Sequence, residues 1–232
     1  MTERDGLAEL AAAPPPAPPP LSADLEAQLG TLSPVTTRRP LRQLAILVVV
    51  SLIYGVGLIA LLTFRDDMLE LPRFWLAIVA IGWLFGFLVP CYFALVPRAG
   101  AVTPRWRLAG IAVVIASIGF VTLGLAIHPM RPSSVSYGWE HFGRGHTCLE
   151  IGLATALVPV VIGAIFLRGA LPIGSRWVAA ALGAGGGCLG GLVLHLHCHV
   201  ADGPHVGLIH GGVVVISALL SAAIVPRATD VR

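Results

Sequence analysis

His-Leu-His-Cys-His occupies positions 195–199, and His205 and His210 follow within a dozen residues. Earlier in the chain Cys148 stands two places after His146, at the start of another apolar stretch. Three readings of these residues stand side by side. Cys148 and Cys198 can form a disulfide in an oxidising compartment, provided their Cα atoms come within about 7 Å. Thiolate and imidazole also suit zinc or copper, with His146, His195, His197, His199, His205 and His210 as candidate ligands beside the two cysteines. The third reading is a set of boundary histidines that are hydrogen-bonded or solvated and hold nothing. One histidine would suit that reading, but the density between 195 and 210 exceeds what it predicts. His195 and His199 share a helix face if the helix runs that far, whereas the alternation through His197 sends side chains to different faces. An oxidisable thiol pair can double as a metal-binding pair, so the first two readings are compatible.

The elements that must position these groups are membrane helices. Hydrophobic residues make up 56% of the chain and charged ones 12%, with a mean hydropathy of +0.86. A soluble domain keeps about a quarter of its residues charged. A hydrocarbon core about 30 Å thick takes about 20 apolar residues in helix. Six stretches qualify: Leu44–Phe64, Phe74–Val96, Leu108–Ile127, Cys148–Leu167, Trp177–Leu196 and Val206–Val225. Period-2 alternation is absent, and a backbone in lipid must satisfy its own hydrogen bonds, so helices are expected. Trp75, Trp106, Trp139 and Trp177 sit at span margins, as interfacial anchors do. The expected fold is all-α: a polytopic membrane protein with six transmembrane helices and a flexible cytoplasmic N-terminal arm.

All 15 basic residues are Arg, and their distribution sets the orientation. The N-terminal arm, the second and fourth connections and the C-terminal tail hold eleven of them; the alternate loops hold Arg65, Arg73, Arg131 and Arg144. Both termini are therefore expected in the cytoplasm, with all eight histidines, Cys148 and Cys198 at the outer face. Cys91 and Cys188 fall inside helices, where a thiol commonly serves as a small packing residue. Met1 to Leu10 carry three acids and no apolar run, so insertion is expected to depend on the first span and not on a cleaved leader.

Three parts make up the chain: an arm over 1–42, a membrane domain over 43–227 and a tail over 228–232. The arm holds a proline-rich spacer at 13–20 and then a segment that places Leu21, Leu25, Leu29 and Leu32 on one helical face. Asp24 and Glu26 fall in its first turn, where the helix dipole favours acids. That acidic bias suits a docking peptide better than a helix lying on anionic lipid. In the fifth span Gly183, Gly187 and Gly191 recur every four residues, which reads first as close helix packing. No glycine-rich phosphate loop or buried carboxylate pair points to catalysis, and the span centres lack the ionisable groups of a coupled transporter. A charge of +3 without long basic runs gives no reason to expect direct nucleic-acid binding.

Three features resemble the NrsF-type (negative regulator of sigma F) membrane anti-sigma factors. They are the leucine-rich acidic arm that leads through Ser33-Pro34-Val35 and Arg38-Arg39-Pro40 into the first span, Cys148 opening the fourth span, and the glycine-rich fifth span ending in His197-Cys198 with Ala201-Asp202-Gly203 after it. The chain departs from that pattern at His199, where the family tends to carry Pro, at His210, where it tends to carry an aromatic residue, and in its proline-rich insert. The resemblance implies a regulator of the bacterial inner membrane. Its arm would hold an extracytoplasmic-function sigma factor, and Cys148 and Cys198 would report metal or redox stress from the periplasm. The competing class is a membrane metal-handling or transport protein that uses the outer histidines.

Overall fold

The structure is a computed structural model and describes residues 38–97, 103–126, 145–168 and 175–229, with Ser22, Asp24, Ala27 and Gly30. By contacts the chain divides into two units, Met1–Arg38 and Arg39–Arg232. In the first, Asp24, Ala27 and Gly30 are helical and exposed. Leu21, Leu25, Leu29 and Leu32, and the proline-rich 13–20, lie outside the described residues.

The second unit is a bundle of six helices: α1 (Pro40–Leu62), α2 (Arg73–Leu95), α3 (Arg105–Ala126), α4 (His146–Leu167), α5 (Ser175–His197) and α6 (Gly211–Thr229). One turn of π-helix, His205–His210, runs directly into α6. Each helix, with that turn counted into the sixth, is long and apolar enough to cross a membrane. The expected six-helix membrane fold is therefore the observed one, with boundaries shifted by a few residues.

Burial divides the helices in a way hydropathy alone does not. The most apolar span, α1, has a mean hydropathy of 2.8 and is 22% buried, whereas α5 has 1.7 and is 89% buried. In lipid the outward surface must be apolar, while an inner helix needs small residues that let neighbours close on it. Accordingly Ile53, Val56 and Leu61 of α1 and Ile115 of α3 stand exposed, forming a surface suited to acyl chains. The glycines of α5 stand against other helices, and α5 touches all five. Gly183 and Gly187 meet Ser217 and Val214 of α6, Gly190 meets Gly152 of α4, and Gly191 meets the Trp83 ring of α2. A Cβ at Gly187 would come within 2.5 Å of Val214 Cα, so α6 could not remain where it is. The four-residue glycine series thus serves two neighbours, α6 through its first two members and α2 through its third.

Candidate functional site

Three close approaches assemble a cluster at one end of the bundle. Cys148 lies in the first turn of α4, one turn before Gly152. Gly152 packs on Gly190, which brings the start of α4 beside the end of α5. Cys198 stands just past α5, where its N–H still donates to Leu194 O at 2.7 Å. The π-turn supplies the third wall. In an α-helix, residues five apart point about 140° away from each other. A π-turn, with its i→i+5 bonds, returns such residues to one side. His205 and His210 consequently have their ring centroids 5.0 Å apart, both rings buried. Gly207, between them, packs backbone to backbone on Gly124 of α3, fixing the turn against the bundle.

Cys148, Cys198, His205 and His210 each offer a donor atom, all within 4.8 Å of one another. The two sulfurs are 3.7 Å apart, and His205 Nε2 is 3.5 Å from Cys198 Sγ. Tetrahedral zinc, with Zn–S of about 2.3 Å and Zn–N of about 2.0–2.1 Å, sets two sulfurs about 3.8 Å apart and sulfur and nitrogen about 3.5 Å apart. The Cys148–Cys198 and Cys198–His205 separations match those edges, and with the remaining donors within 4.8 Å the group could hold a four-coordinate cation. Among the described residues His210 Nε2 and His205 Nδ1 are buried without a hydrogen-bond partner, a costly state for an imidazole that holds nothing. A disulfide would require the sulfurs to close from 3.7 Å to about 2.05 Å. The hydrogen bond from the Cys148 thiol, supported by His205, holds Cys198 well below the usual thiol range although burial opposes this.

The remaining histidines have other duties. His195 Nε2 pairs with Leu76 O at 3.2 Å, and His197 Nδ1 pairs with Thr63 O at 2.9 Å. His146 and His199 are exposed. His128 and His141 lie outside the described residues. Of the candidate ligands, the structure brings His205 and His210 to the cysteines and turns His195 towards α2 and His197 towards the α1–α2 loop.

That loop contains residues the sequence did not single out. Arg65, 5% exposed, donates through its backbone to Leu196 O at 3.0 Å and through its guanidinium to His195 O and His199 O. It is the cation at the C-terminus of α5, satisfying carbonyls that the helix leaves open. Asp67 grips the same guanidinium at 2.6 and 2.8 Å, and this bond holds its carboxyl below the ordinary carboxylate range. Thr63 takes a positive φ of 70°, a strained conformation for a β-branched residue, and its carbonyl meets His197. The available signal was a lone Arg-Asp-Asp directly after a span, on the arginine-poor side.

Residues 30–229 match the family described as negative regulator of sigma F. The chain belongs to that family. No curated protein and no solved structure matches it. The match takes in the whole six-helix bundle of this sigma-F-regulator chain, including both cysteines and both clustered histidines. It begins inside the leucine segment, after Leu21, Leu25 and Leu29 and before Leu32.

Proposed function

We propose that this family member is a membrane-bound anti-sigma factor whose arm sequesters an extracytoplasmic-function sigma factor and whose Cys/His cluster releases it. At rest the arm would use Leu21, Leu25, Leu29 and Leu32 as its docking face, on the cytoplasmic side of the bacterial inner membrane. Cys148 and Cys198, with His205 and His210, would meet metal or oxidant from the periplasm. The observation that carries the sensing half is the four-donor cluster, whose sulfur–sulfur spacing of 3.7 Å suits both zinc-type ligation and closure to a disulfide.

The hydrogen bonds of the α1–α2 loop support a path for the signal. The chain leaving α1 is tied at Thr63 and Arg65 to residues 195–199, the segment that carries Cys198. α1 begins at Pro40, where the arm joins, some 35 Å of helix away. Movement of Cys198 would thus reach the arm through α1. Ligand or oxidation shifts such an equilibrium only by its differential stabilisation of the two states, about 5.5 kcal/mol for a change from 1:99 to 99:1. A cluster closed by four protein donors suits sensing better than transport, which needs ligands that let go on both sides of a membrane.

The test is a transcriptional reporter for the sigma regulon in cells carrying the full chain. Leu25→Asp/Leu29→Asp is expected to derepress it constitutively, and Cys148→Ser/Cys198→Ser to lock repression against metal and oxidant. Unchanged repression in the leucine variant would point instead to a metal-handling protein.

A further inference from the structure

Cys198 borders two cavities of opposite character. The outer one, about 370 Å³, is polar and also reaches Cys148, Asp66 and His199. The inner one, about 310 Å³, lies between α2 and α3 and is walled by Trp75, Trp83, Phe120 and Leu123 before it ends on Cys198 and His210. It shares Gly82, Phe120 and Leu123 with a second apolar groove of about 470 Å³ that continues along α2 and α3 as far as Phe93. From Trp75 to Phe93 this crevice follows about 27 Å of helix at the α-helical rise. Its outer lip is formed by Phe85, Ile111 and Ile115, which are exposed on the lipid-facing surface. Gly82 and Gly119 keep it open: a Cβ at either would point into empty space.

The geometry points to an isoprenoid quinone as the occupant of this crevice and as the oxidant of Cys148 and Cys198. The inference rests on the thiol-sensing reading above and names the reaction partner. The site's chemistry selects the ligand. A flat ring suits the aromatic walls: Trp75 lines the inner cavity together with His195 and His210, and Trp83 and Phe120, stacked on each other at 3.9 Å with 10° between their planes, form a flat wall towards the junction with the groove. Polar groups there are few, and the one cation, Arg65, is already held by Asp67 and by carbonyls of α5. Such an end suits a neutral head with two carbonyl acceptors, and it offers little to a phospholipid phosphate. The long apolar groove suits a prenyl tail entering from the bilayer. Cys198 then lies against the quinone on one side and against Cys148 on the other.

The reaction balances. Cys148 Sγ–H loses its proton, each sulfur gives up one electron, and a sulfur–sulfur bond forms between Cys148 and the Cys198 thiolate. The quinone takes both electrons, its carbonyl oxygens take that proton and a second one from solvent, and it leaves as quinol. The oxidation state of the membrane's electron carriers would thereby reach the sigma factor without a diffusible oxidant.

The test uses the full chain in nanodiscs, fully reduced and free of oxygen, with decylubiquinone as the probe and thiol alkylation as the readout. Decylubiquinone is expected to convert the Cys148–Cys198 pair to a disulfide with one quinol formed per pair. Gly82→Leu and Gly119→Leu, which fill the crevice without touching the thiols, should slow this at least tenfold. Diamide, a water-soluble oxidant, should oxidise parent and variants at the same rate. If diamide closes the pair and decylubiquinone does not, the quinone inference falls and the thiol reading survives. If neither oxidant closes it, both redox readings fall. Equal quinone rates in parent and leucine variants, or a phospholipid that decylubiquinone cannot displace from the crevice, would also overturn the inference.

Discussion

The chain contains two pairs of cysteines that share a residue type and little else. Cys91 and Cys188 are fully buried inside α2 and α5, and each sulfur fills space opposite a glycine: Cys91 faces Gly185 and Cys188 faces Gly86. Cys148 and Cys198 lie at the end of the bundle, within reach of two imidazoles and next to a polar cavity. The inner pair occupies volume and the outer pair has chemistry, because hydrogen-bond donors, extra ligands and access surround only the second. Residue type alone would not have separated them.

The strongest way to break this contrast is to exchange the roles. Cys148→Ser/Cys198→Ser should lower zinc affinity by at least about 100-fold, beyond the 10–100-fold typical of lost supporting groups. Cys91→Ser/Cys188→Ser should leave it within about threefold, by the same yardstick. Both are read by competition with a chromogenic chelator, and equal losses would erase the distinction. A finer cut separates the histidines. His210→Ala removes a direct donor and should weaken zinc by at least about 10-fold, the least that a lost supporting group typically costs. His195→Ala, whose Nε2 is engaged with Leu76 O, should leave affinity nearly unchanged.

Stability sharpens the contrast further. Arg65→Ala leaves Asp67 and the α5 carbonyls without their cation and should cost about 1–3 kcal/mol, read by thermal unfolding in detergent. Cys188→Ala should cost about 1 kcal/mol from a small cavity. The smallest effect is one of pH. The carboxyl of Asp67 titrates lower in the folded chain than in the unfolded one because Arg65 is bonded to it. Its contribution is therefore complete above the ordinary value of about 3.9 and is lost as pH falls through its own lower value. Asp67→Asn should remove that part of the acid sensitivity, and an unchanged acid profile would contradict the assignment.

The spans were legible in the sequence because lipid imposes a simple demand: about twenty apolar residues per crossing. The members of the cluster were legible too, since thiols and imidazoles are rare in apolar stretches. Which of them meet was not. His205 and His210 come together only because the chain adopts a π-turn there, and α-helical periodicity would have set them on different faces. Arg65 counted in the sequence as one more outer charge; only the path of the α1–α2 loop makes it the cap of α5. The crevice between α2 and α3 was illegible for the same reason, because an empty space depends on what packs around Gly82 and Gly119 and not on the glycines themselves.

The central claim is the proposal that the Cys/His cluster governs whether the arm holds a sigma factor. It is tested most directly by offering the full chain in nanodiscs each extracytoplasmic-function sigma factor of its source cells, then titrating cadmium against any that it captures. The account predicts that cadmium weakens capture at least tenfold, or about 1.4 kcal/mol, and that Cys148→Ser/Cys198→Ser abolishes the effect. Capture that cadmium leaves unchanged, or release that persists without the two thiols, would contradict it.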